Sequence, residues 1–197
     1  MLLAIDSATA ACSAALIDGG ELIDERHEIV GRGHAERLLP MIEELLGGRR
    51  PDAILVDCGP GSFTGIRVGL AAAHGLSIGW GVPLTGYSSL AIVAAGTGSQ
   101  AVALLGGHGE IFVQSFAHDP LRPLGELRSL LPGEAAAVVS ATLVAGSGAE
   151  TLVNARGFGE AADALPSAAD ARLLPRALRE LPARPIYGRA PDAKPPA

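Results

Sequence analysis

Apolar residues at the start of the chain fall into short runs separated by polar breaks. Leu2–Asp6 and Ala11–Ile17 are compact apolar strands, and Glu21–Ile29 follows the turn signal Asp18-Gly-Gly20 as a third, more polar strand. The pattern predicts an antiparallel meander. Over His34–Leu46 the period becomes helical, with Leu38, Ile42 and Leu45 on one line and Leu39 and Leu46 beside it. Gly31-Arg-Gly33 precedes this element and Gly47-Gly48 ends it, while Pro40 inside it predicts a kink or a helix start nearby. A strand follows over Asp52–Asp57, with Ala53-Ile-Leu-Val56 as its apolar core. The loop Cys58-Gly-Pro-Gly-Ser62 then leads into a helix over Phe63–Trp80; Pro83–Tyr87 reads as a connection and Ser88–Ala95 as another helix.

Gly96-Thr-Gly-Ser99 reads as a hinge. Beyond it, strands are expected over Ala101–Leu105 and Glu110–Phe116, with shorter ones at Val138-Val139 and Leu143–Ala145. Signals between residues 120 and 169 are sparse. Ser167-Ala-Ala-Asp170 has the spacing of a capping box before a helix over Ala171–Leu181, which Pro175 disturbs. The expected organisation is an N-terminal lobe over 1–98, a smaller C-terminal lobe over 99–189 and a disordered Pro- and Ala-rich tail over 190–197. Both lobes open strand–turn–strand, which suggests a duplication.

Composition narrows the function. Of 197 residues, 48% are hydrophobic and only 18% charged, so the surface is unusually apolar and partner contacts are one use for it. The net charge of −6 argues against direct binding of nucleic acid, which draws most of its affinity from a basic face. Cys12 and Cys58 sit in apolar runs and read as buried thiols in a reducing, cytoplasmic setting. The first residues lack the basic flank of a signal peptide. The long apolar stretch from Ile66 to Leu84 contains Arg67, His74, four glycines and Pro83, which excludes a membrane span.

The informative stretch lies between Asp57 and Glu110, where no acidic residue occurs and Arg67 is the only formally charged side chain. A helix covering a sheet normally shows water a charged face. Here Gly65, Gly69 and Ala73 recur every four residues, a line that lets another backbone approach, either the protein's own sheet or a partner. The loop Gly59-Pro-Gly61-Ser-Phe-Thr-Gly65 is one residue too long for the dinucleotide fingerprint, and no Lys follows its last glycine as a phosphate loop requires. Ser62 and Thr64 read as a helix cap and a loop hydroxyl.

Three segments carry a resemblance: Ala4-Ile-Asp-Ser-Ala-Thr9, His34-Ala-Glu-Arg-Leu-Leu-Pro-Met-Ile42, and Gly59-Pro-Gly-Ser-Phe-Thr-Gly-Ile-Arg-Val-Gly69. Together they resemble the TsaB (YeaZ) family, the dimerisation subunit of the bacterial threonylcarbamoyladenosine tRNA-modification system. Arg184-Pro-Ile-Tyr-Gly-Arg189 is similar to that family's C-terminal Pro-x-Tyr-x-Arg element. The resemblance implies an α/β protein built from two ribonuclease-H-like lobes of the actin/Hsp70-like ATPase fold, with mixed sheets flanked by helices. It further implies a non-catalytic scaffolding subunit that pairs with the catalytic paralogue TsaD, helped by the ATPase TsaE, to threonylcarbamoylate the adenosine next to the tRNA anticodon. On this reading tRNA is met only through the complex, no cofactor is held, and the chain alone forms a homodimer.

Pairing in the family runs through two helices, which here are His34–Leu46 and Phe63–Trp80. The expected interface is His34, Leu38, Leu39, Ile42 and Leu45 with Ile66, Leu70 and Ala73, and Leu70→Asp is expected to break it while leaving the lobe folded. The glycine loop comprises Gly59, Gly61, Ser62, Thr64, Gly65, Arg67 and Gly69. ATP-using members of the superfamily place Asp-x-Gly-(Ser/Thr) in the first hairpin, whereas this chain has Asp6-Ser-Ala8-Thr9. The catalytic paralogue's metal-binding histidines would fall at Ser88 and Ile92, so no metal is expected. The Asp-Ala-Arg stretch of many family members is replaced by Leu105-Gly-Gly107 and His108-Gly-Glu110. The alternative is an ATP-binding phosphotransferase-like enzyme of the same fold; a peptidase is a distant third, lacking both the zinc and serine-elbow motifs.

Overall fold

The computed structural model describes residues 1–188; Arg189 of the C-terminal element and the expected tail 190–197 lie outside the described residues. In chain order the strands and helices are β1 (Leu2–Asp6), β2 (Ala11–Asp18), β3 (Glu21–Ile29), α1 (His34–Leu46), β4 (Ala53–Asp57), α2 (Phe63–Trp80), β5 (Leu84–Tyr87), α3 (Ser89–Thr97), β6 (Ala101–Leu105), β7 (Ile111–Ala117), β8 (Arg122–Pro123), β9 (Arg128–Leu130), α4 (Pro132–Val138), β10 (Leu143–Ala145), α5 (Ala149–Arg156) and β11 (Glu160–Ala162). Two 3-10 turns, Ala168–Leu173 and Arg176–Leu178, close the series.

The strands form two sheets. The first runs β3-β2-β1-β4-β5, with β1, β2 and β3 antiparallel and β1, β4 and β5 parallel. The second runs β11-β10-β6-β7-β8, with β9 also paired to β7; its β6–β7 pair is antiparallel, and β6, β10 and β11 are parallel. With β8 and β9, which both pair with β7, counted together as the third strand of the second sheet, both sheets read third, second, first, fourth, fifth from their first strand. A helix follows the third and the fourth strand in each. Topology thus carries the duplication that the amino-acid sequence only suggests, in ribonuclease-H-like order on both sides.

The first sheet needs cover on both faces, because β2 is buried through seven consecutive residues instead of alternating. α1 supplies Leu38, Met41, Ile42 and Leu45 to one face, and α2 supplies Ile66, Leu70 and Ala73, over Leu3, Ile5, Leu16, Ile54 and Val56. The opposite face packs on α3, whose Leu90–Ala94 are all buried between this sheet and Val102, Leu104 and Phe112 of the second. Each fully buried Leu or Ile contributes about 1.5–3 kcal/mol. A smaller core under α4 and α5 joins Val113 and Val144 to Ala135 and Leu152.

Several expectations need correction. α1 passes through Pro40 without a break, starting six residues before it, and Pro40 sits on its exposed side. Residues 84–87 are a parallel edge strand beside β4, not a connection. Val138 closes helix α4, where a strand was expected. The region after Ser167 forms 3-10 turns instead of a continuous helix, with Ser167 capping through the Ala169 amide at 3.2 Å. The last described segment returns to the first sheet: Leu181 pairs with Gly86, and the Ile186 amide donates to the Cys58 carbonyl at 2.7 Å.

Candidate functional site

β4 ends at Asp57, and the chain turns through Gly59, at φ +99°, into α2. Ser62 is the helix N-cap and accepts the Gly65 amide at 3.2 Å. Thr64 lies in the first turn of the helix and not in the loop. The whole motif is pressed onto the turn between β1 and β2. The Ser62 amide donates to the Ala8 carbonyl at 2.6 Å, and the Ser7 hydroxyl donates to the Gly65 carbonyl at 2.9 Å. A Cβ on Gly61 would stand 2.0 Å from the Ala8 oxygen, one on Gly65 2.0 Å from the Ser7 oxygen, and one on Gly69 2.4 Å from Ser7 Oγ. These three glycines are required for backbone against backbone within the chain. The line Gly65, Gly69, Ala73 faces the protein's own hairpin and sheet, which decides between its two readings.

Under this loop lie two carboxyls that sequence reasoning did not single out as a pair. Asp6 ends β1 and Asp57 ends β4, adjacent parallel strands, and both are buried. The Tyr87 hydroxyl donates to Asp6 Oδ2 at 3.0 Å, and the Ala8 amide approaches Oδ1 at 3.4 Å. The Ser89 hydroxyl lies 2.7 and 2.9 Å from the Asp57 oxygens, and the Gly59 amide donates to Oδ1 at 2.8 Å. The carboxyls lie close enough that each perturbs the other's titration. Burial pushes both upward from the usual carboxylate range; Asp6's charge adds to the rise at Asp57, which stands well above it. The available signal was that two expected strands each end in Asp.

Between the two sheets is a cleft of about 970 Å³, bounded by Ala8, Phe63, Arg67, Gly106, Phe112 and Tyr187 among others, with no acidic residue in its lining among the described residues. The Arg67 guanidinium stacks 3.6 Å over the Phe63 ring, and its Nε donates to the Tyr187 hydroxyl at 3.2 Å. The segment Leu105–His108, which stands where the family's Asp-Ala-Arg stretch is expected, forms one wall. His74 bonds the Ala183 carbonyl at 3.1 Å. Cys12 and Cys58 are buried thiols, pushed up to about 11 and about 12 mainly by burial.

The expected pairing residues need a correction. His34, Leu38, Ile42, Leu45, Ile66, Leu70 and Ala73 are all buried inside the chain, and of the eight only Leu39 is exposed, at 52%. A helix that covers a sheet gives its apolar stripe to that sheet first. The surface that α1 and α2 present is made of other residues. On α2, Ala71, Gly75, Ile78 and Gly79 are exposed, Ile78 at 82%, with half-buried Leu76 and Trp80 beside them. A groove of about 510 Å³ separates the helices, lined by Leu39, Leu76 and Trp80 with Glu43, Arg49 and Arg50. Ala71, Gly75 and Gly79 repeat the spacing of four on the outward side, and a Cβ at either glycine would meet open space.

No helix among the described residues is long and apolar enough to cross a membrane, and no group of three or more potential metal ligands occurs among them.

Comparison with known proteins places the chain. The protein-family model described as "TsaD: tRNA N6-adenosine threonylcarbamoyltransferase" matches residues 26–167. The tRNA threonylcarbamoyladenosine biosynthesis protein TsaB of Escherichia coli is 42% identical over 100 residues, which are 48% of this chain and 43% of that protein. The match thus spans less than half the length of that relative. An uncharacterised protein of Mycobacterium tuberculosis (strain H37Rv) is 32% identical over 98% of this chain and 94% of its own length. The solved structure of YeaZ from Pseudomonas aeruginosa superposes with a TM-score of 0.75 at 32% identity, covering 87% of this chain and 89% of that one. On the reach of the family model and the likeness to YeaZ along most of its length, the chain belongs to the TsaD family, as a TsaB/YeaZ-type member with the actin/Hsp70-like ATPase fold.

Proposed function

We propose that this chain is a non-catalytic subunit of tRNA threonylcarbamoyladenosine formation, and that it acts by docking the outer face of α1 and α2 onto a TsaD-type catalytic partner. The observation that carries this reading is the outer face of α2 beyond Arg67, which carries no charged side chain. Two of its exposed positions, Gly75 and Gly79, have open space where a side chain would stand. Glycine in an exposed helix costs roughly 0.5–1 kcal/mol relative to alanine. Such positions are useful where a second backbone must come close, and Ile78 with the Leu39–Trp80 groove supplies apolar area beside them. With no partner present, the same face pairs two copies of the chain. A TsaE-type ATPase and tRNA would be met through the complex, in the cytoplasm. Its effect on the partner is to stabilise one conformation.

The glycine motif supports a non-catalytic role, because its close approaches are made to the chain's own hairpin at Ser7 and Ala8. The cleft of about 970 Å³ favours the second reading, an ATP-binding phosphotransferase-like enzyme, since it has room for a nucleotide. Against it, Arg67 is the only Arg or Lys in the cleft lining among the described residues.

The test is light scattering coupled to size exclusion, with the chain alone and mixed with the TsaD-type protein of the same organism. A 1:1 complex that forms at the expense of homodimer, and that Ile78→Asp prevents, is the expected outcome. Separate elution with and without ATP overturns the pairing; measurable ATP affinity of the isolated chain then supports the second reading.

A further inference from the structure

The Asp6–Asp57 pair has no part in the pairing reading, and its geometry calls for an explanation of its own. Two carboxyls are buried side by side at the ends of neighbouring parallel strands. Among the described residues, neither forms an ion pair. The titratable groups around them do not neutralise a second charge. β2 brings Cys12, and the segment after β4 brings Cys58, both thiols pushed up by burial; β5 brings Tyr87, also raised by burial and by the two carboxyls. β3 brings His27, an exposed residue whose influence reaches Asp6 through space. α1 brings His34, engaged with the Ala11 carbonyl at 3.1 Å. α3 brings the neutral Ser89 hydroxyl. Two like charges side by side under these conditions cannot both persist.

The pair is also wired to the glycine loop. Asp57 accepts the Gly59 amide, and Asp6 receives the amide of Ala8, whose carbonyl in turn accepts the Ser62 amide. The carbonyl of Cys58, next to Asp57, holds the returning C-terminal segment through the Ile186 amide. We propose that Asp6 and Asp57 share a single proton, and that this proton pins the glycine loop closed against the first hairpin. With the proton present, one carboxyl donates to the other and β1 and β4 end together. Once the proton leaves for solvent base, two carboxylates face each other without a cation. Separation of the loop from the hairpin relieves them, because it admits water at the floor of the cleft. The loop opens as pH rises.

Infrared difference spectra of wild type against Asp57→Asn test the proton directly: near neutral pH the wild type should show the carbonyl stretch of a neutral carboxylic acid that the variant lacks. Amide hydrogen exchange tests the pin. Protection of the Ser62 and Gly65 amides, taken relative to Phe112 in the second sheet and corrected for intrinsic rates, should fall at least about tenfold from neutral to alkaline pH in wild type. It should stay flat in Asp57→Asn, whose side-chain amide still donates to Asp6. Absence of the neutral-acid band, or the same fall in both proteins, overturns the proposal. Should Asp57→Asn not fold, the wild-type band near neutral pH, which bleaches as the pH is raised, and the wild-type exchange profile decide alone: no such band, or no fall, overturns it equally. None of these measurements involves a partner, so the pairing reading and this one fail separately.

Discussion

The first sheet carries strands of up to nine residues and helices of 13 and 18; the second repeats its strand order with strands of two to seven and helices of seven and eight. The repetition extends to the loop after each fourth strand. In the first sheet, the Ser62 amide meets the Ala8 carbonyl beyond β1; in the second, the Gly148 amide meets the Ala103 carbonyl in β6 at 2.9 Å. A Cβ on Gly146, at φ +113°, would lie 2.3 Å from that Ala103 oxygen, as one on Gly61 would lie 2.0 Å from Ala8. What differs is the outer face of the helices. α5 turns Glu150 and Asn154 to water, while the exposed face of α2 beyond His74 holds only Gly75, Ile78 and Gly79. The repeated topology therefore accounts for how each loop is packed, and side chains on the outer helices decide which half has a face left to cover.

The largest effect should come from confusing the two sides of α2. Leu70, at 5% exposure, points into the core of the first sheet. Leu70→Asp should therefore cost about 4 kcal/mol or more and unfold the chain, a reversal of the expectation that it would spare the fold. Ile78→Asp, on the open side, should leave the denaturation midpoint of the chain at high dilution within about 0.5 kcal/mol of wild type. A folded Leu70→Asp chain, seen by circular dichroism, would show that the two faces are assigned the wrong way round.

Next in size are the loop glycines. Gly61→Ala must push backbone away from Ala8, and Gly146→Ala must do the same at Ala103 with the added penalty of its positive φ. Each should lose on the order of 3 kcal/mol in urea denaturation. A neutral result at Gly146 would mean that the second loop tolerates a displacement that the first does not, and that the two halves are alike only in strand order.

A smaller effect concerns pH and belongs to the first sheet alone. Asp6 and Asp57 are raised in the folded chain relative to their ordinary values, so the folded state holds extra proton over that interval. Their contribution is complete below the ordinary carboxylate range and is lost as pH rises through the raised value. The wild-type Tm should decline toward alkaline pH more steeply than that of Asp57→Asn, with the two curves converging in acid. Parallel curves would remove the pair from the pH response.

Much of this was legible along the chain. The strands of the meander, α1 and α2 follow from apolar period and glycine punctuation, and the observed α1 and α2 begin and end where that period does. β5 was missed because Leu84-Thr-Gly-Tyr87 is short and contains glycine; it is a strand only because β4 lies beside it. α4, Pro132-Gly-Glu-Ala-Ala-Ala-Val138, has too few large apolar residues to show a period. The expected pairing residues, all but Leu39 of which are buried, were read as surface for a related reason. Spacing tells which residues share a side of a helix, but not which side the sheet claims, and on α2 both sides are small or apolar. The Asp6–Asp57 pair joins residues fifty-one positions apart, and only the parallel pairing of β1 with β4 brings them together.

The smallest predicted effect separates folding from docking most cleanly. Gly75 and Gly79 project into open space, so Gly75→Ala and Gly79→Ala remove backbone entropy from the unfolded chain without a clash in the folded one. Each should stabilise the chain at high dilution by about 0.5–1 kcal/mol. If α2 docks through this outward line, the same methyl groups hold the partner's backbone away, and pairing weakens while the fold gains. Two opposite signs from one substitution are what a surface shaped for another chain requires. Greater stability with unchanged pairing would place the contact elsewhere on α1 and α2, toward the groove of Leu39 and Trp80.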